Sequence, residues 1–96
     1  MSYSHVKLLL EIQRALIKRV TSNLRMLTAE GNEKEIHLIF FYNETPSEEE
    51  CEMAEDAATE IISGFANQTL NLDIRTIRYP NMMPTLQEIA YWRYEP

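Results

Sequence analysis

Seven consecutive residues, Ile36-His37-Leu38-Ile39-Phe40-Phe41-Tyr42, are apolar at every position but one. The run falls far short of the ~20 residues of a membrane span. Rich in β-branched and aromatic side chains, it fits a strand inside a sheet better than one at an edge. Everything else in the chain must then supply neighbours for that strand. Leu24 to Glu30 reads as a partner strand, and Gly31-Asn32, which both tolerate positive φ, suit the hairpin turn between the two. Leu70 to Tyr79 alternates, with Leu70, Leu72, Ile74 and Thr76 on one face and Asn71, Asp73, Arg75 and Ile77 on the other, as a half-buried strand does. Two prolines in Tyr79-Pro80-Asn81-Met82-Met83-Pro84 stop further pairing. Ile89 to Tyr94 is a last, aromatic strand.

Two helices complete the set. From His5 to Val20 apolar residues recur at three- and four-residue steps through Val6, Leu9, Ile12 or Gln13, Leu16 and Val20, widened by Leu8, Leu10 and Ile17. Thr21-Ser22-Asn23 breaks that pattern. The second helix starts in Thr45-Pro46-Ser47-Glu48-Glu49-Glu50, with either Ser47 or Thr45 as N-cap. Its carboxylates suit the positive end of the helix dipole. Cys51, Ala54, Ala58, Ile61, Ile62 and Phe65 form its apolar stripe, and Gly64 or Asn67 is the stop. The expected fold class is α+β, in the order α-β-β-α-β-β. Two helices cannot cover both faces of a four-stranded sheet, so both are expected on one face, with the other partly open.

Ninety-six residues make one domain, 1–96, and a 45% apolar content excludes wholesale disorder. One cysteine excludes a disulfide framework and a multi-cysteine zinc site. Two histidines and two glycines leave neither a histidine-rich metal centre nor a Gly-rich phosphate loop. Met1 to Lys7 lacks the charged head and apolar stretch of a signal peptide, so a cytoplasmic location is expected. The net charge of -6 argues against direct nucleic-acid binding.

Charge is also segregated. From Glu35 to Asp73 there are ten acidic residues and no Lys or Arg, while all nine basic residues lie on the flanks. Glu48, Glu52, Glu55, Asp56 and Glu60 share one solvent-facing ridge at helical spacing, extended by Glu44 in the preceding loop. Such a ridge is either a solvated face or a docking surface for a basic partner. The absence of any Lys or Arg on that helix favours the second, because like charges at i,i+4 destabilise the helix unless something else retains them. A calcium loop needs acids spaced around a central Gly, which this helical run lacks. Tyr91-Trp92-Arg93-Tyr94 holds residue types that anchor interfaces and that also simply form strands. His37, on the side opposite Leu38, has no ligand or acid–base partner at a recognisable spacing. Cys51 sits among carboxylates, the wrong electrostatics for a thiolate nucleophile. No catalytic residue, cofactor or metal is expected.

The chain resembles small bacterial immunity proteins, including those of contact-dependent growth inhibition systems. The resemblance rests on Arg14-Ala15-Leu16-Ile17 through Val20-Thr21-Ser22-Asn23-Leu24-Arg25, on Ile36 to Tyr42, on Thr45 to Glu50, and on Ala54-Glu55-Asp56-Ala57-Ala58-Thr59-Glu60. Arg78-Tyr79-Pro80 and Tyr91-Trp92-Arg93-Tyr94-Glu95 close it, so that it spans residues 14–95. It implies a non-enzymatic antitoxin that blocks the active site of one cognate toxin domain, often a basic RNase. Glu44, Glu48, Glu49, Glu52, Glu55 and Asp56 would then meet the toxin's cations, with Trp92, Tyr94 and Tyr42 as apolar anchors. The alternative is a homodimeric structural or regulatory domain that associates through its aromatic edge strand.

Overall fold

The computed structural model describes residues 3–84 and 87–96; Met1 and Ser2 of the opening stretch lie outside them. Along the chain run α1 (His5–Ala15), β1 (Leu24–Gly31), β2 (Glu35–Tyr42), α2 (Glu48–Ile62), β3 (Thr69–Thr76) and β4 (Glu88–Trp92). The strands form one sheet in the order β3-β2-β1-β4. Both β1–β2 and β1–β4 are antiparallel, and β2–β3 is parallel. A parallel pair cannot be closed by a tight turn, and α2 supplies the crossover from β2 to β3. The expected α+β class and element order hold, and the apolar run at 36–42 is internal to the sheet.

Both helices pack on one sheet face. Leu8, Ile12 and Ala15 of α1 and Ala54, Ala57, Ala58 and Ile61 of α2 share a core with Leu24, Leu27, Ala29, Ile36, Leu38, Phe40 and Tyr42. The small alanines of α2 let its backbone lie close to the sheet. Ser47 is its N-cap, with Thr45 and Pro46 left outside: the Ser47 hydroxyl accepts from the Glu50 amide (3.1 Å) and the Glu50 carboxylate accepts from the Ser47 amide (3.0 Å). The helix ends at a Ser63 cap, one residue before Gly64.

Four expectations change. The first helix stops at Ala15 rather than running to Val20, because a turn with Lys18 at φ 63° redirects the chain into β1. Its buried stripe is Leu8, Ile12, Ala15 and Leu16, while Val6 and Val20 are exposed. An almost unbroken apolar run from Val6 to Leu10 is compatible with several helical phases, and packing selects one. The hairpin needs no positive φ. The Asn32 carboxamide oxygen accepts from the amides of Lys34 (2.8 Å) and Glu35 (3.0 Å), which closes the turn as an Asx-type loop. On α2, Cys51 and Ile62 are only half-buried, and Ala57 takes a place in the core instead.

The second sheet face is more closed than two helices alone would leave it. Met26, Ile39 and Phe41 are buried there, packed by Ile77 and Met83 from the connection between β3 and β4. His37, Asp73 and Arg75 keep the rest of that face in contact with water. None of the described helices is long and apolar enough to cross a membrane.

Phe41 is wholly buried in this smaller cluster, far from both helices. Replacing Phe41 with Ala should lower unfolding free energy by about 3–5 kcal/mol, as large cavities in packed cores do. Urea titration checks this, and a loss below ~1 kcal/mol would mean that the second face is not a packed core.

Candidate functional site

All but one of the acids on the helix point away from the core. Glu48, Glu49, Glu52, Glu55 and Asp56 are all exposed on α2, and among the described residues none has an ion-pair partner. The other acids nearby are engaged. Glu44 lies 3.3 Å from Arg78, and Glu60 lies 3.4 Å from Arg19 of the turn after α1. Glu50 is turned inward, where Thr21 and Asn23 also donate to it. Its burial opposes ionisation, but the hydrogen bonds from Thr21, Ser47 and Asn23 outweigh that and hold its carboxyl below the ordinary range. Glu50 is thus a structural acid, and the five exposed residues form the available surface.

The two aromatic anchors do not join that surface equally. Trp92 sits opposite Met26 on β4, so it shares the sheet face that the helices leave free, on the far side from α2. Tyr94 is almost fully exposed at the end of the sheet where β2 finishes and α2 begins. The Tyr79 amide donates to the Asn43 side chain at that same end, and Arg78 pairs with Glu44. Tyr42 cannot act as a surface anchor. It is buried on the helix face, stacked on Phe40, and its hydroxyl is pushed up to about 12 by burial and by the Glu50 and Cys51 charges.

A buried cation, unmarked in the sequence except as an Arg at the start of a strand, organises that end of the molecule. Arg25 is the extra residue at the irregularity between Leu24 and Met26 in the β1–β2 pairing, and its side chain is 3% exposed. Its guanidinium donates to both Glu95 carboxylate oxygens (2.6 and 2.8 Å) and to the carbonyls of Ile77 (2.7 Å) and Asn81 (3.1 Å). Arg93 and Trp92 also donate to Glu95. Led by the Arg25 bond, these contacts lower the Glu95 carboxyl to about 2. The sequence marked only a lone Arg at the start of a largely apolar strand, with nothing in it to point to Glu95.

His37 lies on the free sheet face, as its alternation with Leu38 implied. Its Nε2 is 2.8 Å from Asp73, and its Nδ1 accepts from Gln87 (3.0 Å), whose carbonyl accepts from the Thr28 hydroxyl (3.0 Å). The His37 bond lowers the Asp73 carboxyl. A hydroxyl, a histidine and an aspartate in line suggest a nucleophilic triad, but the Gln87 amide between hydroxyl and imidazole has no basic site to relay a proton. Thr28 is also wholly buried. The arrangement fixes Gln87 to the sheet. Among the described residues no three His, Cys, Asp or Glu side chains are disposed to hold a metal ion.

Because the Glu95 carboxyl ionises more readily in the folded than in the unfolded chain, its contribution to stability is complete above pH 4.5 and is lost as pH falls toward about 2. Unfolding midpoints should decline across that window, with Glu50 and Asp73 acting in the same direction. Glu95→Ala should cost about 3–5 kcal/mol at neutral pH by leaving Arg25 buried without its carboxylate, and should flatten the acid limb. Thermal melts from neutral to acid pH check both. An unchanged acid limb in Glu95→Ala would remove Arg25–Glu95 as its source.

A family model described as MafI2 immunity protein matches residues 5–95. No curated protein matches the chain.

Proposed function

The chain belongs to the MafI2 immunity protein family, and from that premise we propose that it neutralises a cognate nuclease toxin in the cytoplasm by laying the acidic face of α2 into the toxin's substrate cleft. Family membership carries an immunity role and with it a toxin partner. The observation that supports this particular surface is the row Glu48, Glu49, Glu52, Glu55 and Asp56, exposed and without cationic partners among the described residues. A nuclease must line its cleft with Lys and Arg to hold a phosphate chain. Carboxylates spaced along a rigid helix offer those cations the same sign of charge, and they contain no bond that the toxin can cleave. Inhibition is by occlusion, with no turnover by the inhibitor.

Glu44 extends the row beyond the helix start, and Tyr94, at the same end of the sheet, offers an aromatic contact at its margin. Trp92 falls outside this footprint because the sheet stands between it and α2. The Glu44–Arg78 pair is exposed and contributes little to the fold, so Glu44 can exchange Arg78 for a toxin cation at small cost.

Two measurements test the proposal with the cognate toxin domain. Replacing Glu48, Glu52 and Glu55 together with Gln should weaken toxin binding tenfold or more, which is ~1.4 kcal/mol or above. Thermal stability of the free protein should stay level or rise, because repulsion at i,i+3 and i,i+4 spacing is relieved. Unaltered affinity in the triple variant would move the interface away from α2. Nuclease cleavage that persists at equimolar immunity protein would remove the inhibitory role altogether.

Salt dependence is the second measurement. Charges on an exposed helix are screened beyond ~8 Å at physiological ionic strength. The association rate should therefore fall several-fold from low to high salt while dissociation changes less. A salt-independent association rate would exclude the acidic row as the docking surface.

A further inference from the structure

The end of the sheet at which β2 finishes carries an open cleft of about 320 Å³, lined by Ser22, Tyr79, Arg93, Tyr94, Glu95 and Pro96. Three of its walls are rings. Tyr79 is 36% exposed, and Tyr94, at 89%, is the most exposed aromatic residue among those described. The backbone that carries these rings is tethered. The Tyr79 hydroxyl donates to the Pro96 carbonyl, and the Tyr79 amide donates to the Asn43 side chain (2.6 Å). Glu95, next to Tyr94, is held by both bonds from Arg25. A ring presented on a tethered backbone loses little freedom when a partner covers it.

The chemistry of the walls selects the occupant. Arg93 is engaged by Glu95 (3.0 Å) and by the Ser22 carbonyl (2.6 Å), and Glu95 is engaged by Arg25, so both charges are already matched within the protein. The Arg25 guanidinium already faces the Tyr79 ring, 5.6 Å from its centre, and a second cation there would meet like charge. What remains is ring surface, which favours an uncharged aromatic group in offset-stacked or edge-to-face contact. Position selects the partner. Only β1 separates β4 from β2, so the cleft lies two strand spacings, ~10 Å, from the end of β2. Asn23, beside Ser22, donates to the carbonyl of Glu44, where the acidic row begins (3.0 Å). A toxin laid on Glu44, Glu48 and Glu49 therefore reaches the cleft with the adjoining part of its own surface.

A groove that binds single-stranded nucleic acid combines cations for the phosphates with aromatic side chains on which the bases stack. We propose that Tyr94, backed by Tyr79 and Pro96, stands in for a base. Its ring stacks on an aromatic side chain of the toxin's substrate cleft, while the carboxylates of α2 stand in for the phosphates. The inference rests on the reading of α2 as the toxin-binding face and adds to it the second chemical half of a nucleotide. It also names the kind of residue that the toxin must offer, an aromatic platform beside its cations.

Tyr94 is changed alone in the full chain, and affinity for the cognate toxin domain is measured beside the triple variant in which Glu48, Glu52 and Glu55 become Gln. Tyr94 is so exposed that its variants should melt with the parent. Tyr94→Phe keeps the ring and should bind within about threefold of the parent, whereas Tyr94→Ala and Tyr94→Leu should each bind roughly tenfold weaker or more. A benzoylphenylalanine photo-cross-linker in place of Tyr94 should attach within the toxin's substrate cleft, as mapped by mass spectrometry. Parent-like affinity in Tyr94→Ala, with the triple variant weakened, would overturn the base-surrogate role and leave the α2 surface standing. Leucine serving as well as tyrosine would mean apolar contact without stacking, and a cross-link outside the cleft would mean the wrong partner surface; either result sinks the inference. Parent-like affinity in the triple variant would remove the reading of α2, and this inference with it.

Discussion

The Arg25 guanidinium is the contact on which the arrangement of the sheet's two outer surfaces depends. A cation with 3% of its side chain exposed must have its hydrogen-bonding capacity met within the protein, since burying an unpaired charge is prohibitively costly. Four acceptor bonds meet it: two from Glu95, one each from the Ile77 and Asn81 carbonyls. Each tethers a part of the chain with little secondary structure. Glu95 fixes the tail beyond β4, while Ile77 and Asn81 bring the segment after β3 back toward β1. That return places Ile77, and further along Met83, over Met26, Ile39 and Phe41. The second face of the sheet therefore has a core of its own, although no helix covers it.

With that face closed, the protein presents two surfaces of opposite character. On α2 the buried side is nearly all alanine, narrow enough to sit close to the sheet, which leaves the wide remainder of the helix to carboxylates. On α1 the buried side is larger and the charges gather toward α2, which leaves an apolar flank over β4. The helices thus divide the surface between a charged side, suited to steering a cationic partner from a distance, and an apolar side, effective only on contact. The capping box at Ser47 and Glu50 helps α2 tolerate the repulsion along its exposed row.

Much of this was legible one residue at a time. Alternation at Leu70, Leu72 and Ile74, the continuous run at 36–42, the cap before Glu48 and the acids that follow it are local patterns, and each reads the same in the sequence as in the fold. The acidic row was legible for the same reason: helical spacing and the absence of Lys or Arg are properties of one segment. The phase of α1 was not, because the four apolar residues among Val6 to Leu10 suit more than one burial direction. The footprint of the aromatic residues was not either, since Trp92 belongs to one side of the sheet and Tyr94 to its end.

What the sequence alone determined, then, is which elements exist, their order, and where the charge resides, because these follow from periodicity and capping within about a dozen residues. Tertiary structure decided the parallel pairing of β2 with β3, the burial of Arg25 against Glu95 seventy positions away, and the placing of Trp92 on the opposite side of the sheet from α2. Those are relations between distant segments. A strand's alternation defines two faces without saying which one the helices will cover, and a lone Arg in an apolar strand has no partner until the folded chain brings a carboxylate to it.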